Sequence, residues 1–255
     1  MFYIVGSSGL LSEQIQKILK KKNYFLTSLR RKNEEWIKKP SRNDTIIFLS
    51  NLGNIDTYNK NKKKVIRFHK NINNNLFQKL DRDVRFIFFS TDMVYSGKNK
   101  KSYNDKSKVS PINNYGKSKA YLEKKIKKIF KNHLILRLSK VYSIKRRHNT
   151  FLTQLSKTKK NYLFSDQKVH YLNHVDLEKI LKKILHQKDL VGIYNVPGKM
   201  FSTRYHFVKT YLNQFNKRNI KVVRISVESK KNIPNNLKLK TKLFKKIRYQ
   251  PKKFF

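Results

Sequence analysis

Residues 85–119, RFIFFSTDMVYSGKNKKSYNDKSKVSPINNYGKSK, form the stretch that decides the fold. The apolar run at 86–89 predicts a buried strand, and this run ends in a Ser-Thr-Asp sequence centred on Thr91. After a polar loop, Pro111 introduces a helical pattern, and Ser110 is the predicted N-terminal cap of that helix. A strand, a polar loop and a helix in this order indicate one unit of an α/β protein.

Tyr115 and Lys119 lie four residues apart at the start of this helix, so they share one face. Together with Thr91 they are expected in the crevice at the carboxyl ends of the strands, where open α/β sheets bind ligands. A free phenol has a pKa of about 10, and a neighbouring ammonium lowers it. We therefore predict that Tyr115 is a general acid or base, that Lys119 tunes it and that Thr91 binds the substrate oxygen.

Spacing alone does not single out Tyr115, because lysine is very common in this chain. Four other tyrosines also have a lysine four residues further on, namely Tyr58, Tyr121, Tyr205 and Tyr249. For those four we favour the simpler interpretation, an incidental tyrosine on a lysine-rich helix. For Tyr115 the strand, its polar end and the helix start occur together and in order, which favours a catalytic site.

A second signal, at residues 2–12, predicts a nucleotide site. Residues 2–5 are a predicted strand, and a glycine turn then leads into an apolar-faced helix. Glycine lets the backbone approach a pyrophosphate, and the helix N-terminus supplies amide N–H groups. Ser12 replaces the usual third glycine and is small enough to keep the helix close to the strand. An ordinary turn between strand and helix is the alternative. The predicted cofactor contacts here are Gly6, Ser8, Gly9, Leu10 and Leu11.

The predicted second strand, residues 24–29, bears on the choice of cofactor. NAD sites usually have an acidic residue at the end of this strand, which binds the ribose 2′-hydroxyl. This chain has Arg30, Arg31 and Lys32 instead, and cations suit a 2′-phosphate. We therefore predict NADP, with NAD as the alternative and Arg30 and Arg31 as contacts. One more solvated basic cluster is an equally simple explanation of these residues.

Further strands and helices follow in alternation. The third predicted strand covers 44–50, and Ser50 and Asn51 at its end are expected to lie along the cofactor. A helix is predicted over 62–80, and another strand over 133–138. Alternation of this kind is the signature of a Rossmann-type, doubly wound parallel sheet.

Composition limits the remaining choices. A chain of 255 residues suits one large domain, or one domain with a smaller lobe. It has no cysteine, which excludes disulfides and thiolate metal sites. Its seven histidines show no metal-ligand spacing, so we predict no metal. Neither a signal peptide nor a run of about 20 apolar residues is present, which favours a cytoplasmic protein.

The formal net charge of +46 favours contact with nucleic acid or another anionic surface. The lysines are spread over the whole chain, and Lys, Asn, Ile, Phe and Tyr all have AT-rich codons. Mutational bias is therefore a sufficient explanation, and we favour it. Either way, the charge predicts non-specific, salt-sensitive contact with nucleic acid.

Four motifs carry a resemblance to a known family: 6–12 (GSSGLLS), 90–97 (STDMVYSG), 111–119 (PINNYGKSK) and 136–142 (LRLSKVY). They resemble the extended short-chain dehydrogenases/reductases of the NAD-dependent epimerase/dehydratase superfamily. The most similar branch is that of the dTDP-4-dehydrorhamnose reductases. In that family the residues that match Thr91, Tyr115 and Lys119 are catalytic.

The resemblance implies an NADP(H)-dependent reductase of a nucleotide-linked 4-keto sugar, which makes sugar precursors of surface polysaccharides. It implies a cofactor domain at 1–142 and a mostly substrate-binding lobe at 143–255, with segments that return to the sheet. It is also compatible with a homodimer. Basic side chains bind diphosphates well, so we predict that Arg146, Arg147 and Arg204 contact the substrate.

Two alternatives stay open from the sequence. One is an epimerase or dehydratase of the same superfamily, and the other is a non-catalytic descendant that binds a nucleotide sugar, a protein or nucleic acid. The intact Thr91, Tyr115 and Lys119 argue against the second. A dehydratase typically has an acid pair beside the threonine, whereas here Asp92, a predicted substrate contact, is followed by Met93.

Overall fold

A computed structural model describes most of the chain, namely residues 1–6, 9–20, 23–27, 40–53, 55–145, 150–157, 160–217, 219–227 and 232–252. The strands in chain order are β1 (Phe2–Val5), β2 (Tyr24–Thr27), β3 (Thr45–Phe48), β4 (Arg85–Thr91), β5 (His133–Leu138), β6 (Lys140–Tyr142), β7 (Lys160–Phe164), β8 (Lys168–Asn173), β9 (Gly192–Val196), β10 (Met200–Thr203), β11 (Lys221–Ile225) and β12 (Asn236–Leu237). The α-helices are α1 (Leu10–Leu19), α2 (Ile55–Lys60), α3 (Lys62–Ile72), α4 (Asn114–Ile129), α5 (Phe151–Gln154), α6 (His174–His186), α7 (Arg204–Gln214) and α8 (Leu243–Lys246).

Six strands form one parallel sheet in the order β2-β1-β3-β4-β5-β9. The chain passes from β1 to β2 on one side and then returns to β3 on the other side of β1. The strand order therefore reverses between β1 and β3, as it does in a doubly wound sheet. This confirms the predicted fold class, and it places the ligand crevice above the carboxyl ends of the strands.

Helices cover both faces of this sheet with their apolar side chains. Side chains of α1, α6 and α8 pack on one face, and those of α3 and α4 pack on the other. Phenylalanine fills much of the second layer, where the rings of Phe86 and Phe130 stack with centroids 4.4 Å apart. Strand β4 is buried at every position, so the residues at its end are held firmly in place.

The second lobe is built largely from residues after β5. Its main sheet has the order β10-β8-β12, and β6 also pairs with β8. Strands β7 and β11 pair separately. Tyr171 and Phe207 stack at 3.7 Å in the core of this lobe. After β8 the chain returns, because α6 packs on the first sheet and β9 forms its edge.

The structure differs from the predicted helices in three respects. The helix predicted over 62–80 is α3 followed by a π-helical turn at Asn73–Phe77. Helix α2 was not predicted, because its sequence IDTYNK is short and polar. The prediction that Ser110 caps the helix of Tyr115 is wrong, since α4 begins at Asn114 and the side chain of Asn113 accepts the amide of Gly116 at 2.8 Å.

A buried ion pair connects the elements beneath the crevice. Arg137 Nη2 on β5 lies 2.7 Å from Glu123 Oε2 on α4, and both side chains are 5% exposed. The Ser90 hydroxyl on β4 donates to Glu123 Oε1 at 2.5 Å. Arg137 Nη1 donates to the Tyr95 hydroxyl at 2.7 Å, and this hydroxyl donates to Asn195 Oδ1 at 2.8 Å. One network therefore joins α4, β4, β5 and β9.

Asn195 extends this network to the end of the chain. Its side-chain amide donates to the carbonyl oxygens of Tyr103 and Lys240, at 3.2 and 3.0 Å. Its backbone N–H donates to Asp105 Oδ1 at 2.7 Å. The edge strand β9 is thus tied both to the loop after β4 and to residues near the C-terminus. No helix in the described ranges is long and apolar enough to cross a membrane.

We expect Arg137→Met to destabilise the protein by about 3–5 kcal/mol, because it leaves the Glu123 carboxylate buried without its partner. Adding Glu123→Leu should recover most of this loss, since no charge then remains buried. Urea unfolding of the two variants measures the difference. As a control, Lys131→Met removes the exposed pair with Asp83, N–O 3.2 Å, and should change stability little. Equal losses in Arg137→Met and Lys131→Met would contradict the prediction.

Candidate active site

A cleft of about 680 Å³ lies beyond the carboxyl end of β4 and is bordered by β6 and the start of α7. It brings together the predicted residues Thr91, Asp92, Tyr115 and Arg204, and it adds Lys140, which the sequence analysis did not single out. Side chains from both lobes therefore line one space. This is the position at which an open α/β sheet binds its ligand.

The position of Tyr115 depends on how closely α4 approaches the turn after β4. A Cβ atom at Gly116 would lie 2.1 Å from the carbonyl oxygen of Met93, so only glycine fits there. Asn113 fixes the same helix start by accepting the amide of Gly116. The Thr91 hydroxyl accepts the Met93 amide at 3.2 Å and orders the turn. These contacts bring Tyr115 to the threonine at the strand end.

Lys119 is buried one helical turn further on. Its Nζ donates to the carbonyl oxygen of Phe89 at 3.1 Å and lies 5.9 Å from the centre of the Tyr115 ring. Burial lowers the pKa of Lys119 to about 8, and Glu123 opposes this shift. The ammonium is therefore held beside the phenol ring by a backbone carbonyl rather than by an acid.

The effect expected of Lys119 on Tyr115 is not observed. Burial, reinforced by Tyr58 and Asp92, raises the pKa of Tyr115 above its ordinary value, while Thr91 opposes the increase. Lys119 does not offset the burial, because its Nζ is turned to the backbone of β4. In this state Tyr115 is a protonated phenol, which suits a proton donor.

Asp92 and Lys140 both line the cleft, and their charges interact. Burial raises the pKa of Asp92 to about 6, opposed by its hydrogen bond with Thr91 and by the charge of Lys140. The Thr91 hydroxyl donates to Asp92 Oδ1 at 3.2 Å. Burial also lowers the pKa of Lys140 to about 8, and the nearby Arg204 adds to this decrease. The cleft therefore holds several ionisable groups away from bulk water.

Tyr58 packs against the predicted catalytic tyrosine, a contact that its interpretation as an incidental tyrosine did not include. Its hydroxyl donates to Asn51 Oδ1 at 2.6 Å and accepts the Leu52 amide at 3.3 Å. Its ring packs edge-on against Tyr115, with centroids 5.2 Å apart. Tyr58 therefore connects the loop after β3 with the predicted catalytic tyrosine. Tyr58 lies in α2, which was not predicted, so no sequence signal pointed to this contact.

The glycine turn after β1 has the form of a phosphate cradle. Gly6 has a φ of 101°, and a Cβ there would lie 2.8 Å from the backbone nitrogen of Ser50. Gly9 has a φ of 105° and open space at its Cβ position, directly before α1 starts at Leu10. Ser12 is 1% exposed, so it packs in place of the third glycine. These residues fit a dinucleotide pyrophosphate, which needs a bare backbone and a helix N-terminus.

Several predicted contacts lie outside the described residues. They are Ser8 in the glycine turn, Arg30 and Arg31 after β2, and Arg146 and Arg147 after β6. Ser50 and Asn51 follow β3 next to the glycine turn, as expected for a loop along a cofactor. Leu11 lies in the first turn of α1.

A larger cavity, about 1100 Å³, lies elsewhere, near the first residues of β5 and β9. Lysines such as Lys106, Lys127 and Lys246 border it. Parallel sheets bind their ligands at the opposite, carboxyl ends of the strands, and Thr91 and Tyr115 do not border this cavity. We therefore assign the site to the smaller cleft.

Known proteins share this architecture. The chain superposes with a TM-score of 0.79 on the dTDP-4-dehydrorhamnose reductase of Bacillus anthracis in complex with NADP, at 20% identity over 98% of this chain and 93% of that one. RMD from Pseudomonas aeruginosa, complexed with NADPH, gives a TM-score of 0.71 at 13% identity, covering 99% and 92%. A probable low-salt glycan biosynthesis reductase of Haloferax volcanii is 40% identical over 62 residues, 24% of this chain and 21% of that protein.

The glycine turn, the doubly wound sheet and the arrangement of Thr91, Tyr115 and Lys119 at the end of β4 together define an extended short-chain dehydrogenase/reductase. The profile of the family described as the RmlD substrate binding domain matches residues 1–253. The chain therefore belongs to that family, within the dTDP-4-dehydrorhamnose reductase branch that its motifs resemble.

The lowered pKa of Lys119 predicts a pH dependence of stability. Between pH 8 and about 9.5 the unfolded chain holds this proton more firmly than the folded protein, so the amine makes stability increase with pH. Lys119→Met should therefore reduce the increase over this range, measured by urea unfolding at a series of pH values. The control Lys124→Met alters an exposed lysine of the same helix and should keep the wild-type increase. An unchanged pH dependence in Lys119→Met would contradict the prediction.

Proposed function

We propose that this chain is an NADP(H)-dependent reductase of a nucleotide-linked 4-keto sugar, which serves the synthesis of surface-polysaccharide precursors. The observation that carries the proposal is that Thr91 and Tyr115 line one cleft while Lys119 Nζ lies behind it, 5.9 Å from the centre of the Tyr115 ring. The cradle of Gly6 and Gly9 lies in the same sheet, at the end of β1. Structural relatives in complex with NADP and NADPH support the choice of cofactor.

The chemistry of the cleft suits reduction of a carbonyl. When bound, NADPH supplies a hydride to the carbonyl carbon. The carbonyl oxygen then gains negative charge, so a proton donor at that oxygen stabilises the transition state more than the ground state. Tyr115 is that donor, and its raised pKa keeps the proton available at neutral pH. Thr91 at the end of β4 holds the same oxygen by a hydrogen bond.

Lys119 acts beside Tyr115 as a buried cation. Its ammonium lies 5.9 Å from the Tyr115 ring and is held by the Phe89 carbonyl. By family analogy it would contact the nicotinamide ribose and stabilise negative charge on the phenol oxygen after the proton has left. Tyr58 supports the arrangement from the cofactor side, through its bonds to Asn51 and Leu52.

The substrate side of the proposal rests on basic residues. Arg146 and Arg147 follow β6 in the sequence. We propose that they bind the diphosphate of the nucleotide sugar, because guanidinium groups bind diphosphates well. Arg204 borders the cleft itself. The dehydratase alternative is not favoured, because Asp92 is followed by Met93 and no second acid comes next.

The proposed setting is the cytoplasm, where nucleotide sugars are made. A homodimer and non-specific, salt-sensitive contact with nucleic acid are further parts of the proposal. The first experiment is incubation of the protein with NADPH and a panel of nucleotide-linked 4-keto sugars, followed by the loss of NADPH absorbance. If no member of the panel is reduced, the proposed function is wrong.

Tyr115→Phe keeps the ring but removes the proton donor, so kcat should decrease by about 100-fold or more while NADPH binding stays nearly intact. Steady-state kinetics and NADPH titration measure the two effects. The matched control is Tyr121→Phe, on the same helix, where Lys125 lies 5.8 Å from an exposed ring. This variant should keep wild-type kcat. Normal turnover of Tyr115→Phe would refute the assignment.

Arg30→Ala with Arg31→Ala should weaken NADPH binding but change NADH binding little, because the two cofactors differ in the 2′-phosphate. Dissociation constants for both cofactors should be measured at one high salt concentration, since the charge of +46 attracts the extra phosphate on its own. Equal affinity of the wild type for NADPH and NADH under these conditions would show that the cluster does not select the cofactor.

A further inference from the structure

Two cations border the substrate side of the cleft, and the carboxyl groups of Asp56 and Asp92 also line the cleft. Lys140, the first residue of β6, and Arg204, the first residue of α7, both line it. They are close enough that Arg204 lowers the pKa of Lys140. Asp92 is the carboxyl group that acts on Lys140. The other acid, Asp56, is exposed, and no acid among the described residues opposes the lowered pKa of Arg204.

Arg204 has no acidic partner among the described residues. Its guanidinium carbon lies 5.5 Å from the centre of the Phe164 ring, and its Nε is buried without a hydrogen-bond partner. Burial lowers the pKa of this guanidinium, and the only group that opposes the shift is the neutral phenol of Tyr171. A buried cation that lacks a counter-charge is costly, and a ligand anion is what would compensate it.

Arg137 is a buried arginine of this protein that does have a counter-ion. That side chain is held by Glu123 through two of its nitrogens, Nε at 3.1 Å and Nη2 at 2.7 Å. Its surroundings raise its pKa, whereas those of Arg204 lower it. Arg204 therefore lacks the counter-ion that Arg137 has.

Lys140 places this positive charge next to the reacting group. Its Nζ lies 5.4 Å from the centre of the Phe151 ring, and it interacts with Asp92. Asp92 accepts a hydrogen bond from Thr91, which holds the carbonyl oxygen in the proposed reaction. An anion between Lys140 and Arg204 is thus close to the reacting carbonyl, on the sugar side of the substrate.

We infer that Lys140 and Arg204 form a subsite for a carboxylate carried by the reacting sugar, so that the substrate is a nucleotide-linked acidic keto sugar. The inference rests on the proposed function and narrows its substrate class. The diphosphate is the other anionic group of the substrate. If Lys140 and Arg204 bound the diphosphate instead, they would form a second diphosphate site. The experiment therefore separates the two sources.

The test uses stable product analogues that differ only in the carboxylate. UDP-glucuronate and UDP-glucose share the nucleotide and the diphosphate, and the corresponding dTDP pair covers the other base. Dissociation constants are measured by calorimetry on the protein saturated with NADP, at one fixed salt concentration. We expect the acidic member of each pair to bind at least about tenfold more tightly, the effect of one charge-assisted contact.

A double variant and its control locate the effect. Lys140→Gln with Arg204→Gln should remove the preference, because it weakens binding of the acidic analogue at least about tenfold more than binding of the neutral analogue. The control, Lys124→Gln with Arg82→Gln, removes the same charge from exposed positions and should keep the preference. Arg204→Met should also keep or increase the melting temperature of the ligand-free protein, because an unbalanced cation is removed.

Each other outcome overturns the inference. Equal binding of acidic and neutral analogues, with both weakened in the double variant, assigns the pair to the diphosphate. If the double variant binds both analogues as the wild type does, Lys140 and Arg204 bind neither the carboxylate nor the diphosphate. If no nucleotide sugar binds and none is reduced, the proposed function fails. Free glucuronate, glucose and pyrophosphate then test the subsite alone, and it is refuted unless only glucuronate binds and the double variant removes that binding.

Discussion

The ion pair between Arg137 and Glu123 is the constraint on which the rest of the structure depends. Glu123 belongs to the helix that carries Tyr115 and Lys119, and it accepts the hydroxyl of Ser90, the residue before Thr91. The predicted catalytic groups lie on two different elements, and this pair joins those elements from below. Burial makes the pair effective as a fixed point, because neither charge can turn to water without leaving the other unpaired.

Burial also determines the chemistry of the groups above the ion pair. It raises the pKa of Tyr115 and lowers that of Lys119, so both shifts follow from removal of water rather than from mutual attraction. A phenol that keeps its proton is suited to donate it to a developing oxyanion. The cleft therefore stores the proton on Tyr115 until a substrate changes the local charge.

Local patterns in the sequence predicted the parts of the protein that depend on neighbouring residues. The strand that ends at Thr91 and the spacing of Tyr115 and Lys119 are visible in one stretch, and the structure brings all three together. The contact of Tyr58 with Tyr115 could not be predicted, because it depends on α2. This helix has six residues, IDTYNK, which carry no helical pattern. Lys140 was missed because the cleft that it lines is formed by β6 and α7, which are far apart in sequence.

The helix cap shows the same limit at a smaller scale. Ser110 precedes Pro111 and has a residue type suited to a cap, yet Asn113 performs this role. The close approach of Gly116 to Met93 decides where the helix starts, and such an approach between two elements cannot be deduced from capping preferences. Tertiary packing therefore overrides a local preference at the point where the position of Tyr115 is determined.

The bonds of Asn195 have a consequence for the order in which the chain can fold as it is synthesised. Strand β9 completes the sheet only after residue 196 has been made, and the side chain of Asn195 then pairs with the backbone of Lys240. The residues predicted to be catalytic, all before residue 120, are therefore made long before their support is complete. A nascent chain of this protein exposes an unfinished sheet edge for much of its synthesis, and edges of that kind are the surfaces that chaperones protect.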